Sequence, residues 1–454
     1  MKKYRFYSCL LALLMLCSLC AFPAAALEDP APNCKAAIIV DGDYGEVLYS
    51  HNGYERMYPA SITKVMTSLL VMEAIADGKL TLDQPITASA TAVTLPEGSS
   101  TAGIKEGEVL TVEQLLYCDL VSSANEACNI LAETVGGSIS GFVEMMNEKA
   151  KELGMDDTHF VNPHGLHDEF HYTTAYDISI MARAAMEYEA FRTIVSTTKY
   201  VIPETNMSGE RTLYTTNALL DNWKIAGYTY SKAIGIKTGS TTPAGQCLVS
   251  AAVDTDGRTF YCVVLGAENV TNEDGSKTRY SFKESKRLLE WAFENYERIT
   301  LLDDTFTEVI REVPVSLSDE ADYVIAQPVG SIEATMPIDY DPDKAVIEVE
   351  LVDSVQAPVE KGTKLGTVSL SYDGVHYGTL DMVAADGVVR SDFQYYLKVV
   401  RDYLSLWWVK ALIVLLVVFI LLLILWLAVI RPRSRRRRRY SSSGRSNYRG
   451  SRRR

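Results

Sequence analysis

Tyr58-Pro59-Ala60-Ser61-Ile62-Thr63-Lys64-Val65-Met66-Thr67 opens a stretch in which Ile62, Val65, Met66, Leu69, Met72 and Ile75 recur at helical spacing up to Gly78. Proline suits the first turn of a helix, where its missing N–H has no helical partner, and glycine suits the position just past the last turn. The spacing therefore predicts a helix whose first turn carries a serine and, three residues on, a lysine. Positions i and i+3 share a helix face, so the Lys64 amine can reach the Ser61 hydroxyl. A serine is a weak nucleophile until a base takes its proton, and an uncharged lysine amine can be that base. The pair alone is not distinctive, because Ser196-Thr197-Thr198-Lys199 repeats it. Ser196, however, leads into Tyr200-Val201-Ile202-Pro203, a strand-like run, and is read as carrying no chemistry.

On the N-terminal side of this helix, Lys35–Val40 and Glu46–Ser50 read as short strands around the turn signal Asp41-Gly42-Asp43. From Thr81 to about Gly154 the pattern reads as helical with Gly and Ser breaks. Thr111 and Gln114 form a capping box, and Gly136-Gly137 ends the next helix. Gln246–Val253 and Arg258–Gly266 are apolar strands joined at Asp254-Thr255-Asp256-Gly257. A symmetric turn there pairs Cys247 with Val264 and Val249 with Cys262. Ser281–Arg298 is helical, with Leu288, Leu289, Ala292 and Tyr296 on one face. The result is an α/β domain, an antiparallel sheet with helices and a helical insert, over residues 27–299. Beyond Thr300, Pro314, Pro328, Pro337, Pro342, Pro358, Asp373-Gly374 and Asp386-Gly387 punctuate short alternating runs, which predicts a small all-β spacer or docking domain over residues 300–398.

Both ends point to a membrane. Lys2, Lys3 and Arg5, an apolar run from Cys9 to Phe22 and Ala24-Ala25-Ala26 make a secretory signal peptide over residues 1–26. Residues 399–410 read as a juxtamembrane linker. Ala411 to Ile430 is an unbroken run of 20 apolar residues, enough to cross a hydrocarbon core of about 30 Å. Trp407 and Trp408 flank one edge, and an Arg-rich tail over residues 431–454 flanks the other. Basic flanks stay in the cytoplasm, so the body of the chain faces outward. The tail serves as a stop-transfer anchor and would attract anionic lipid headgroups. The formal charge is −14, but the tail holds 12 Arg and the leader three bases, with no acid in either. Setting those 15 bases aside leaves 29 against 58 acids, a net of −29, and a body so acidic repels nucleic acid. Without the leader five cysteines remain (Cys34, Cys118, Cys128, Cys247, Cys262), an odd number read as structural thiols.

Two more segments carry chemistry. Ser123-Ala124-Asn125 falls at a bend between the helical stretches Leu115–Val121 and Glu126–Val135, where a hydroxyl and an amide can relay a proton and hold a substrate amide. Lys237-Thr238-Gly239, preceded by Ala233-Ile234-Gly235-Ile236, reads as a strand bearing a cation, a hydroxyl and a glycine that lets a ligand backbone approach. A lysine there can bind a terminal carboxylate. If it also lies near Lys64, like-charge repulsion and burial together favour the free Lys64 amine.

In this order the three segments resemble the penicillin-recognising serine enzymes, whose set is Ser-x-x-Lys, Ser-x-Asn and Lys-Thr-Gly. Tyr58–Thr67, Ser123-Ala124-Asn125-Glu126-Ala127, Asn162-Pro163-His164-Gly165-Leu166 and Gly235–Thr241 are similar to low-molecular-mass penicillin-binding proteins of the D-alanyl-D-alanine carboxypeptidase type. The resemblance spans about Ala31 to Glu297, and the β-rich segment resembles that family's C-terminal domain. Many relatives have Gly where Ala124 stands and His where Ser240 stands. The resemblance implies a β-lactamase/transpeptidase-like fold in which Ser61 attacks the penultimate D-Ala carbonyl of a peptidoglycan stem peptide and Lys64 takes its proton. Ser123, Asn125 and Lys237 then pass a proton to the leaving D-Ala and hold the substrate amide. Lys237 and Thr238 bind the terminal carboxylate, Gly239 lies beside them, and the N–H groups of Ser61 and Ser240 form the oxyanion hole. It further implies β-lactam antibiotics as covalent inhibitors and neither metal nor cofactor; several relatives carry an amphipathic membrane end, whereas the run Ala411–Ile430 here reads as a true span that attaches the chain to the bacterial membrane.

Four other readings compete. A serine β-lactamase would carry a Glu-x-x-x-Asn element, which is missing between Asn125 and Lys237. A D,D-endopeptidase or transpeptidase acting on cross-links keeps the same residues. A non-catalytic wall-binding module has no need of Ser61, Lys64 and Lys237 together. A zinc peptidase would draw on His159, His164, His167 and His171, but their spacing is not His-Glu-x-x-His, and they are read as solvated or structural.

Overall fold

Ala36–Asp41 (β1) and Val47–His51 (β2) form an antiparallel hairpin, and residues 36–40 are buried on both sides. The computed structural model describes Leu27 and residues 29–430, so the signal-peptide and Arg-tail expectations lie outside the described residues. After β2, besides the single turn Ala90–Val93, come six longer helices among the described residues: Lys64–Ala76 (α1), Val112–Leu120 (α2), Asn125–Gly136 (α3), Ile139–Glu152 (α4), Ala175–Met186 (α5) and Glu189–Ser196 (α6). Strands Ala233–Thr241 (β3), Gly245–Val253 (β4) and Thr259–Ala267 (β5) and helix Tyr280–Asn295 (α7) follow. The main sheet has five strands in the order β2-β1-β5-β4-β3, so β3 is an edge strand.

Alternation across the strands divides the core. Ala36, Ile38 and Val40 of β1, with Val249 of β4 and Val263 of β5, face α1, α2, α3 and α5. Ala37, Ile39, Leu248 and Val264 face Leu288, Leu289, Ala292 and Phe293 of α7. Successive side chains point to opposite faces, so a strand covered on both faces reads as one continuous apolar run. Residues 64–72 of α1 are all buried, which suits a helix apolar around most of its circumference.

The chain divides into two units. The first runs to Ile299 and includes Ala334–Asp341; the second holds Thr300–Glu333 and the chain from Pro342 onward. In the second, Arg311–Ser316 (β6), Tyr323–Val329 (β7), Ala345–Leu351 (β8), Val355–Gln356 (β9), Lys364–Tyr372 (β10) and Val375–Ala384 (β11) form a six-stranded sheet in the order β8-β10-β11-β7-β6-β9. Two helices end the described chain, Asp392–Ser405 (α8) and Trp407–Leu425 (α9). Trp407–Ala428, 22 residues long, is apolar enough to cross a membrane.

The structure departs from the sequence reading in four places. Residues 81–111 are not helical: Pro85–Thr87 pairs with Val109–Thr111, and only Ala90–Val93 makes a helical turn between them. Gly98, Gly103 and Gly107 all take positive φ there, which interrupts any helix. The β4–β5 register is one residue off, with Leu248 opposite Val264 and Ser250 opposite Cys262. The cause is a five-residue loop, Asp254–Arg258, in which Gly257 at φ +79° donates to Asp254 O. Cys34, Cys118, Cys128, Cys247 and Cys262, the cysteines among the described residues, are free thiols, as the sequence reading has them. Helix α7 stops at Asn295, because Tyr296 turns extended and its hydroxyl donates to Leu48 O at 2.8 Å. Finally, most of residues 399–410 is helix rather than linker. Ser391 caps α8 by accepting from Gln394 N, and Phe393, Leu397, Val400 and Leu404 repeat at helical spacing.

Candidate active site

Ser61 lies in a tight turn, Ala60–Thr63, that runs directly into α1, whose first residue is Lys64. The fully buried Lys64 Nζ is 3.1 Å from Ser61 Oγ, 2.7 Å from Asn125 Oδ1 and 2.8 Å from His164 O. An amide oxygen and a peptide carbonyl only accept hydrogen bonds. In the uncharged amine both N–H bonds are thereby committed to Asn125 and His164, and the lone pair is left facing Ser61. Burial and a fixed set of partners thus hold Lys64 Nζ in one place beside Ser61 Oγ, unlike the end of a flexible surface lysine.

Ser123 and Asn125 stand at the junction of α2 and α3. Ser123 takes φ +63°, a left-handed conformation that is uncommon for a residue with a Cβ. Such conformations cost on the order of 1–3 kcal/mol and persist where surrounding contacts enforce them. Here Ala124 N donates to Cys118 O and Asn125 N to Ser100 O. Lys237, buried on the edge strand β3, donates to Ser123 Oγ at 3.0 Å and to Thr238 O at 2.9 Å. Burial, followed by the nearby Lys64 charge, lowers Lys237 to about 7. Thr238 Oγ1 lies 2.6 Å from Thr216 Oγ1, and Ser240 is exposed on the same strand. All eight residues singled out in the sequence, Ser61, Lys64, Ser123, Asn125, Lys237, Thr238, Gly239 and Ser240, therefore lie on three segments that converge.

Two glycines permit the convergence. A Cβ on Gly239 would lie 2.9 Å from Ser61 N and 3.0 Å from Ile62 N, so β3 can pass the Ser61 turn only without a side chain there. Gly165, at φ +84°, would place a Cβ 1.8 Å from Ala60 O. Gly239→Ala is expected to lower the rate of penicillin acylation on the order of tenfold to a hundredfold by displacing the Ser61 turn, since misplacement of about 1 Å can cost 10²-fold. Stopped-flow acylation kinetics at constant fold content test this, and an unchanged rate would show that the turn yields freely.

Sequence reasoning missed the groups behind the turn. His171, set aside above as a solvated or structural histidine, is buried, with its Nδ1 3.1 Å from the Val161 N–H that it accepts. That bond puts the ring proton on Nε2, which lies 2.9 Å from Thr63 Oγ1; Thr63 in turn donates to Ala60 O at 2.8 Å. Burial lowers His171 to about 4, so the ring is neutral at working pH. The buttress thus ties the Ser61 turn to a distant loop, and Thr63, the third residue of the Ser-x-x-Lys pattern, was its one visible trace. The four histidines do not converge on a metal site. His159 Nδ1 lies against Phe170 O and the His167 ring against Tyr58. Among the described residues no three His, Cys, Asp or Glu side chains group as a metal ion requires.

Comparison with known proteins agrees with this geometry. Residues 24–269 match the family model described as D-alanyl-D-alanine carboxypeptidase, and residues 308–390 match the penicillin-binding protein 5 C-terminal domain. The chain is 32% identical over 371 residues to the D-alanyl-D-alanine carboxypeptidase DacF of Bacillus subtilis, covering 82% of this chain and 90% of that protein. It superposes on penicillin binding protein 5 from Haemophilus influenzae with a TM-score of 0.61 at 27% identity, covering 80% of this chain and 100% of the other. A peptidoglycan synthesis regulatory factor (PBP3) from Streptococcus pneumoniae gives 0.62 at 26% identity, covering 79% and 100% respectively. The chain therefore belongs to the D-alanyl-D-alanine carboxypeptidase family and is a serine-type carboxypeptidase of the penicillin-binding protein class.

Proposed function

We propose that the enzyme removes the terminal D-Ala from peptidoglycan stem pentapeptides, with Ser61 as nucleophile and Lys64 as its base. The observation that carries this reading is the Lys64 amine held by Asn125 Oδ1 and His164 O with its remaining position toward Ser61 Oγ. Ser61 Oγ attacks the penultimate D-Ala carbonyl as its proton passes to Lys64 Nζ. The oxyanion is met by the N–H groups of Ser61 and Ser240. The C–N bond then breaks, and the leaving amine takes a proton through Ser123, which Lys237 and Lys64 can replenish. Lys237 and Thr238 hold the free carboxylate, Asn125 the substrate amide, and Gly239 leaves room for the chain. Water, with Lys64 again as base, releases the acyl group and regenerates Ser61. A β-lactam follows the first half of this path and stays as the acyl-enzyme.

An open polar groove of about 640 Å³ begins at Ser240 and runs past Thr241, Thr242 and Gln246 to Lys35 and Glu268. It offers space for the rest of the stem peptide. We further place the enzyme on the bacterial membrane through α9, with the catalytic unit outside and the Arg-rich tail in the cytoplasm, on the strength of the apolar span and its basic flank. The test is incubation of the detergent-solubilised full chain with a stem pentapeptide, followed by mass spectrometry. The expected product is the tetrapeptide plus free D-Ala. A product joined to a second peptide, or cleavage confined to cross-linked dimers, would establish transpeptidation or endopeptidation instead.

A further inference from the structure

Asp119, in the last turn of α2, is fully buried, and no step above uses it. One carboxylate oxygen accepts from Ser68 Oγ at 2.8 Å and the other from Cys128 Sγ at 2.7 Å. Ser68 stands one helical turn beyond Lys64 on α1, and Cys128 three residues beyond Asn125 on α3. Residues at that spacing share a helix face. The carboxyl thus bridges α1 and α3 next to the point where Lys64 Nζ meets Asn125 Oδ1.

The charged and titratable groups acting on Asp119 are Lys64 from α1, Cys128 from α3 and Lys237 from β3. Glu126, also on α3, is buried, but one of its oxygens is engaged by Thr101 Oγ1 and Ala102 N. Glu189 and Arg192 on α6, the other helix packed on α2, are exposed, and the strand Val109–Thr111 has no titratable side chain. Burial is the largest effect on Asp119 and on balance raises its proton affinity; Lys64, the hydrogen bonds from Cys128 and Ser68, and Lys237 all act the other way and favour the carboxylate. A buried ion without a partner is costly, and so is a pair of buried lysines without an anion.

We propose that Asp119 is a positioning residue for the acylation reaction: its carboxylate is the buried counter-ion that Lys64 and Lys237 share, and through Ser68 and Cys128 it holds α1 and α3 at the separation that joins Lys64 to Asn125. The proposal rests on the roles given above to the two lysines. Removing the anion makes the Lys237 ammonium harder to hold. Lys237 then loses its ammonium at lower pH, which moves the alkaline limb of the rate profile downward.

The test is the second-order rate of acylation by benzylpenicillin across pH, measured on the full chain in detergent. Asp119→Asn keeps the shape and loses the charge, and the alkaline limb is expected to move to lower pH by on the order of one unit, as for loss of a nearby opposite charge. Asp119→Glu keeps the charge, so that limb stays in place even where the rate falls. Ser68→Ala withdraws one donor from the carboxylate, favours its protonation and moves the limb the same way by less. A purely structural role lowers rates without moving the profile. An unmoved alkaline limb in Asp119→Asn overturns the proposal, as does a shift in Asp119→Glu equal to that in Asp119→Asn. Where Asp119→Asn does not fold, Ser68→Ala decides, and an unmoved limb there overturns it. Absence of acylation in the unsubstituted protein would instead strike at the roles of Ser61 and Lys64 themselves.

Discussion

Ser61→Ala is expected to abolish penicillin labelling and to lower kcat/KM for D-Ala release by roughly 10⁴- to 10⁶-fold, since no neighbouring group can replace the nucleophile of an acyl-enzyme pathway. The fold should survive. The hydroxyl's partner is Lys64 Nζ, which keeps Asn125 Oδ1 and His164 O after the change, while the turn itself is held by the Thr63–Ala60 hydrogen bond. Intact-protein mass spectrometry after penicillin treatment, paired with a thermal melt, separates chemistry from folding. A folded variant that still gains the mass of the antibiotic would move the nucleophile elsewhere, with Ser123 as the next hydroxyl to examine.

Lys237→Ala is expected to cost roughly 10³-fold in kcat/KM on a peptide with a free C-terminal carboxylate, within the range for truncating one member of a buried charge pair. On the corresponding amide the loss should be much smaller, so the variant discriminates poorly between the two substrates. Equal losses on acid and amide would refute the carboxylate role and leave Lys237 as a partner of Ser123 alone. The pH dependence follows from the same side chain. Burial and the Lys64 charge bring Lys237 to about 7, so in the free enzyme its ammonium is present below that pH and lost above it. KM for the acid should therefore rise as pH increases through 7, whereas KM for the amide stays flat. A bound carboxylate favours the ammonium and moves the midpoint upward in the complex.

Much of the site was legible because its residue types are rarely assembled for other reasons. Ser61 and Lys64 fall on one face of a short turn and helix, and Lys237-Thr238-Gly239 sits on a strand whose glycine must lie against something. The long insert was less legible. The pattern over residues 81–111 suggests helix with Gly and Ser breaks, but Pro85 and glycines at positive φ turn the segment into loops around a two-stranded ribbon. The β4–β5 register also escaped, since a four-residue turn signal does not reveal a five-residue loop. The supporting groups left almost no trace. His171 sits in a loop rich in histidine, and Asp119 is one acid among 58.

The amino-acid order alone settles which local conformations are possible. The apolar spacing after Pro59 makes a buried helix, the Asp-Gly turns make hairpins, and the unbroken run from Ala411 makes a span that only lipid or a protein core could solvate. It also settles the chemical inventory: the hydroxyls of Ser61 and Ser123, two amines and an amide. Folding alone brings two lysines 173 positions apart in the chain close enough for the Lys64 charge to act on Lys237, one from a helix and one from an edge strand, with the buried Asp119 carboxyl within electrostatic reach of both. The physical reason is range. Backbone sterics act over a few residues and can be read along the chain, whereas desolvation and Coulomb interactions act through space and depend on which surfaces the core brings together.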